Sequence, residues 1–251
     1  MTGLVQDFRY ALRSLRKQPG FTGLALATLA LGIGATTAIF TVVNAVLLRP
    51  LPYPEPERLV ELFTQGRQGG RFSLSYPDAV DIRALTQDFS AVAPYNTQRY
   101  NFTTGGEPRE VRAAQAGNDL FRALRVEALV GRTFAPSELR EQVAILGHAL
   151  WASEFGSDRG VIGRSISLDG RLFTVVGVMP PSFHFPDDDT QLWVPLGQSF
   201  VSNPQAEASR NMFFFNTVAR LAPGASLERA MADVAVVAQR INAAQRDQGQ
   251  Q

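Results

Sequence analysis

Two histidines, a run of three aspartates and scattered glutamates are the residues of this 251-residue chain that could act on a substrate or an ion. His148 and His184 stand 36 positions apart, and neither sits in a paired-histidine metal pattern or near a nucleophile elbow, so each reads as structural. His184 with Asp187, Asp188 and Asp189 is the best metal candidate, because hard oxygen ligands suit a divalent cation. Consecutive carboxylates point in different directions and crowd a single ion, however, and an acidic solvated loop is the competing expectation. Glu107 and Glu110 could be cast as an acid and a base, but no second feature supports a hydrolase. Asn101-Phe102-Thr103 is a glycosylation sequon, relevant only in a eukaryotic source. Gly32 and Gly34 look like the start of a dinucleotide fingerprint, but the third position is Thr37 and the surroundings are hydrocarbon-like, which rejects the match. Cysteine is absent, and with it disulfides, thiolate metal sites and a thiol nucleophile. No catalytic, cofactor-binding or metal residue is assigned, and the chain is expected not to be an enzyme.

The elements that would have to position any chemistry begin with a charge asymmetry. The formal net charge is only +1, but Arg9, Arg13, Arg16 and Lys17 face Asp7 alone in residues 1–20, and nothing charged follows until Arg49. The remaining 20 basic residues meet 22 acidic ones, so the main body offers no electrostatic case for nucleic acid. An apolar fraction of 45% with 19% charged residues suits a folded chain with a sizeable core.

Residues 21–48 run for 28 positions without an ionisable side chain, whereas about 20 helical residues cross a bilayer core. A buried core helix would be shorter and seldom apolar all round. A cleaved signal peptide would have an apolar core of only about 7–15 residues and no long charged lead. An uncleaved transmembrane helix is therefore expected, and the basic flank before it keeps the N-terminus cytoplasmic. Leu4, Phe8, Ala11, Leu12 and Leu15 recur at helical spacing, so residues 3–17 read as an amphipathic helix, lying on the inner leaflet or docked on a partner. Gly32, Ala35 and Thr36, with Gly23 and Thr28, would let other membrane helices approach closely.

Four prolines at 50, 52, 54 and 56 forbid a continuing helix and predict an extended strut over residues 49–57. Beyond it the pattern predicts a strand at 59–64, a helix at 76–89 begun by Ser75 and Pro77, strands at 90–103 and 108–116 joined at Gly105-Gly106, and a helix near 119–124. A strand running into a helix is expected over 142–156, and a hairpin at 165–179 turning on Asp169-Gly170. Strands follow at 191–195 and 212–221, then a helix capped by Ser226 and reaching about Ala244. This strand-then-helix grammar predicts an α+β fold of small mixed sheets with helices on one face, in two subdomains. The expected domains are a cytoplasmic amphipathic helix (1–20), a transmembrane helix (21–48), the strut (49–57), a mixed α/β core domain (58–246) and a polar tail (247–251). Phe213, Phe214 and Phe215 cannot all face one side of a strand, so at least one is exposed or packs against a second layer; core packing is expected, with a partner-binding patch as the alternative.

Ordered motifs along nearly the whole chain carry a family resemblance. Phe8-Arg9-Tyr10-Ala11-Leu12-Arg13, Ala30-Leu31-Gly32-Ile33-Gly34-Ala35 and Leu48-Arg49-Pro50-Leu51-Pro52-Tyr53 resemble the start of the MacB/FtsX-like ABC permeases, in particular the acidobacterial duplicated orphan permease branch. Ala128 to Phe134, Ile162-Gly163-Arg164, Thr174 to Val178, Leu192 to Leu196 and Ala219 to Gly224 resemble the MacB-like periplasmic core domain. The resemblance implies a bacterial inner-membrane protein with its main domain in the periplasm. A partner cytoplasmic ABC ATPase drives the membrane helices of such permeases, and movement is passed outward. Those permeases have three further spans after the core domain, so a truncated or partial permease is expected, with the ATPase engaged through the missing segments. A single-pass extracytoplasmic sensor or assembly protein is the alternative.

Overall fold

The computed structural model describes residues 13, 15–43, 51–66 and 69–248. The chain divides into two compact units, Met1–Pro52 and Tyr53–Gln251. In the first, helix α1 spans Pro19–Val43. Proline suits the first turn of a helix, where its missing N–H would have had no acceptor. The helix is about 37 Å long at 1.5 Å per residue, enough for a hydrocarbon core of about 30 Å. Thr28, Thr36 and Thr41 donate their hydroxyls to the carbonyls of Leu24, Gly32 and Thr37, so no hydroxyl among them needs water. Most of the expected amphipathic helix, residues 3–12 and 14, lies outside the described residues, as do 44–50 at the end of the expected span and the start of the strut.

The second unit is built on one nine-stranded mixed sheet rather than on small separate sheets. Its strands are β1 (Leu59–Leu62), β4 (Phe89–Thr103), β5 (Arg109–Ala116), β6 (Val130–Gly131), β7 (Val143–Leu146), β8 (Ser165–Leu168), β9 (Arg171–Val178), β10 (Thr190–Pro195) and β11 (Asn216–Leu221). The order is β1-β11-β4-β5-β10-β7-β9-β6, with β8 bridging β4 and β9. Pairs β5–β10 and β7–β9 are parallel and the rest antiparallel. A small hairpin of β2 (Thr64–Gln65) and β3 (Arg71–Phe72) stands apart from it.

Helices cover both faces of the sheet, not one as the sequence pattern suggested. Helix α2 (Tyr76–Leu85) and helix α6 (Leu227–Gln248) pack with Phe89, Val92, Ala219 and Leu221, and the short helix α5 (Gln198–Ser202) sets Phe200 against Phe215. Further along the same face of β4, α4 (His148–Phe155) closes a core of Phe102, Leu146, Ile166, Phe173 and Leu192. On the opposite face, α3 (Leu120–Leu124) packs with Ala91, Ala93, Ile145 and Trp193. Alternate residues of β5, β9 and β10 enter opposite cores, which explains why these strands read as continuous apolar runs.

Most element boundaries agree with the pattern. Helix α2 is capped by Ser75, whose Oγ accepts the N–H of Asp78, but it stops at Leu85 because Thr86 is extended and starts the approach to β4. Strand β11 begins at Asn216 rather than at 212, since Phe215 instead makes an isolated bridge to Leu74. Helix α6 runs past Ala244 to Gln248, and 249–251 lie outside the described residues. Asp169 and Gly170 both have positive φ, 50° and 77°, the geometry a two-residue hairpin demands. Gly131 and Gly177 face each other across β6 and β9, where a Cβ on Gly177 would lie 2.2 Å from the carbonyl oxygen of Arg132. Only glycine permits that approach.

Candidate functional site

From Tyr53 the chain already belongs to the folded domain, five residues earlier than the expected boundary, and the extended strut is replaced there by a fastened turn. Glu55 adopts left-handed backbone angles (φ 48°, ψ 61°), which costs a residue with a side chain about 1–2 kcal/mol. Pro56–Arg58 follows as one turn of 3-10 helix. Together they bend the segment so that its carbonyls face β11.

Arg220 receives them. It sits on β11 opposite Leu59 on one side and Ala91 on the other, and its side chain is only 1% exposed. Its Nη2 donates to the carbonyl of Pro54 at 2.9 Å, its Nη1 to that of Glu55 at 3.2 Å, and its Nε to that of Ala123. Ala123 lies in the last turn of α3, where helix carbonyls have no partner in the helix and favour a cation. Burial, reinforced by Arg125 and Arg58, pulls the Arg220 pKa down, and Glu55 opposes it. The guanidinium remains charged, and three charge-assisted bonds offset its desolvation.

Four outer contacts complete the clamp. Glu55 takes Arg125 at 2.7 Å and Arg58 at 3.2 Å, and the Arg125 hydrogen bond above all holds its carboxyl below the usual range. Arg58 donates to the carbonyl of Leu221 at 3.0 Å. Tyr53 is buried against Phe183 and donates to the carbonyl of His184 at 3.1 Å. Burial pushes its phenol up to about 12, so it is a neutral donor at ordinary pH. The segment is thereby tied to β11, to α3 and to the loop before β10. Such an arrangement fastens the segment to the domain.

The sequence-level candidates do not converge in the same way. Asp187 is consumed by Arg112 at 2.8 Å and by the hydroxyl of Thr190 at 2.9 Å. Asp188 is 91% exposed and lies 3.4 Å from Nδ1 of His184. Among the described residues no group of three histidine, aspartate or glutamate side chains is placed to hold a metal. His148 begins α4 and packs edge-on against Trp151 at 5.6 Å. Glu107 is exposed, and Glu110 pairs with Arg99 at 2.8 Å. Asn101 donates its amide side chain to Asp169, bracing the β8–β9 turn. Phe215 is buried beside Tyr76 and Phe200, while Phe213 is exposed at the rim of a groove of about 320 Å³ with Phe63, Val234 and Ile241. The three phenylalanines thus differ in exposure, although they precede β11 rather than lie in it.

Sequence reasoning reached Arg220 only as one letter of the Ala219 to Gly224 motif. A signal was present, a cation flanked by Ala219 and Leu221 within a buried strand. Its partners were not legible, because they are backbone carbonyls 97, 165 and 166 positions away and carry no side-chain signature.

Residues 22–237 match the MacB-like periplasmic core domain family. No curated protein matches the chain. Among solved structures, the periplasmic region of MacB from Actinobacillus actinomycetemcomitans superposes with a TM-score of 0.58 at 14% identity, covering 73% of this chain and 84% of that one. The extracellular domain of the noncanonical ABC-type transporter YknZ from Gram-positive bacteria gives 0.52 at 12% identity, over 70% and 88% of the two chains. A permease-protein domain from Porphyromonas gingivalis gives 0.56 at 16% identity, over 76% and 84%. At these identities the likeness is one of fold.

Proposed function

Because the chain belongs to the MacB-like periplasmic core domain family, we propose that it is the first span and outer domain of an ABC transporter permease that relays movement across a membrane. Helix α1 crosses the bacterial inner membrane with the N-terminus in the cytoplasm, where the basic residues of positions 1–20 are retained, and the domain stands in the periplasm. A cytoplasmic ABC ATPase, acting with further membrane helices, supplies the movement. The observation that carries this reading is the family match itself, since one continuous region from 22 to 237 takes in both the apolar helix and the domain.

The clamp gives the role a physical means. A span that tilts or shifts can move a domain only if the segment after it is held to that domain more firmly than it is bent. Tyr53 to Arg58 is held through hydrogen bonds made by Arg220, Arg58 and Tyr53, each of them partly buried. The role uses no catalytic residue or cofactor.

Purification of the full chain from its native membrane in a mild detergent tests the reading. A cytoplasmic ABC ATPase should accompany it, and protease added to spheroplasts should cut the domain. A chain that purifies without any ATPase, with its domain still exposed outside, would instead favour the sensor or assembly role. Protection of the domain in intact spheroplasts would overturn both.

A further inference from the structure

Asp88 precedes β4, and its side chain is only 4% exposed. Its Oδ1 lies 3.2 Å from Nε of Arg229 in the first turn of α6, while its buried Oδ2 has no hydrogen-bond partner among the described residues. Asp233 stands one turn beyond Arg229, hence on the same face of α6, and its carboxyl comes within hydrogen-bonding reach of Asp88. Two ionised carboxylates are both acceptors and cannot bond to each other. With one proton between them they can.

We propose that Asp88 and Asp233 form a proton-sharing latch, which seats the first turns of α6 on the domain while one proton is held and loosens them when it is lost.

The surroundings fit that role. Arg229 and Asp233, both from α6, are the charged groups facing Asp88. The chain after β11 offers it only the N–H of Ala222, which donates to the Asp88 carbonyl at 2.7 Å, and the nearby Thr86 hydroxyl is spent on the carbonyl of Ile82. Arg229 is 67% exposed, so water weakens its hold on the pair. Apolar contact seats one side of α6: Ala230 and Val237 are buried and Val234 and Ile241 partly so, whereas Met231 and Val236 are exposed. Burial first, and then the bond to Asp233, raises the Asp88 pKa above its ordinary 3.8. The folded chain therefore holds this proton more tightly than the unfolded one. The resulting stability is fully present below 3.8 and is lost as pH rises through the raised folded value.

Amide hydrogen exchange of the full chain in detergent micelles, corrected for the intrinsic effect of pH, reads the latch over residues 227–238. Protection there should be lower at roughly pH 8 than at pH 3.8, while β5 in the sheet centre keeps its protection at both. Asp233→Asn gives Asp88 an N–H donor at every pH and should abolish the fall, and Asp88→Asn should do the same from the other side. Equal protection of α6 at both pH values in the wild type, or a fall in Asp233→Asn as large as in the wild type, would overturn the proposal.

Discussion

The clamp around Arg220 and the acidic loop 184–189 are joined by one hydrogen bond, from Tyr53 to the carbonyl of His184, yet they differ in everything that makes charge consequential. The loop has the richer side chains for chemistry, a histidine and three aspartates, but Asp188 points into solvent and Asp187 is already committed to Arg112. The clamp turns on a single buried arginine whose guanidinium meets three backbone carbonyls. Composition locates charges. Burial and convergence give them energetic weight, since an exposed ion pair contributes about 0–1 kcal/mol whereas hydrogen bonds to a charged group contribute about 1.5–3 kcal/mol.

Substitution at the centre of the clamp should have the largest effect. Arg220→Met takes the guanidinium from the carbonyls of Pro54, Glu55 and Ala123, and should lower the unfolding free energy by about 1.5–3 kcal/mol in urea titrations of the detergent-solubilised chain. Arg220→Lys keeps the charge but not the three-way fork, and should fall between the two. A loss below about 1 kcal/mol for Arg220→Met would erase the difference between the two regions.

Smaller effects sharpen the contrast. Tyr53→Phe removes one half-sheltered bond and should cost about 0.5–1.5 kcal/mol in the same titration. Glu55 supplies a pH signature of opposite sign to the α6 latch. Its folded pKa is depressed, so its contribution is present above its ordinary 4.5 and disappears as pH falls through the lower folded value. Glu55→Gln should flatten that acid limb of the stability curve.

In the loop, Asp187→Ala should cost no more than about 1 kcal/mol, and Asp188→Ala and His184→Ala less still. Millimolar calcium or magnesium should leave the thermal midpoint unmoved, because binding to the native state would raise it. A rise in midpoint that Asp188→Ala removes would return the loop to the list of sites.

What could be read from the sequence divides along the same line. Local features were legible: Ser75 and Ser226 as helix caps, Asp169-Gly170 as a hairpin, and the strands around Trp193 and the 90–116 pair follow from short-range rules that the structure obeys. The stop of α2 at Leu85 was not, because tertiary pairing of Phe89 with Leu221 draws the chain into β4 before the helical pattern ends. The joining of small sheets into one depends on pairings as distant as Thr103 with Ser167 and Leu59 with Arg220. Helices on both faces follow from that closure and were likewise hidden. The role of Arg220 was the least legible, since its acceptors belong to every residue type alike.

The absence of cysteine from the chain permits the most direct measurement. Spin labels on cysteines introduced at the exposed positions Glu57 and Glu127, one on the clamped segment and one on the domain beyond α3, report whether the joint is stiff. In membranes containing the ATPase, with or without ATP, a joint that transmits movement gives one narrow distance, and Arg220→Met broadens it. A broad distribution in the wild-type chain, or a narrow one that survives the loss of Arg220, would contradict the account.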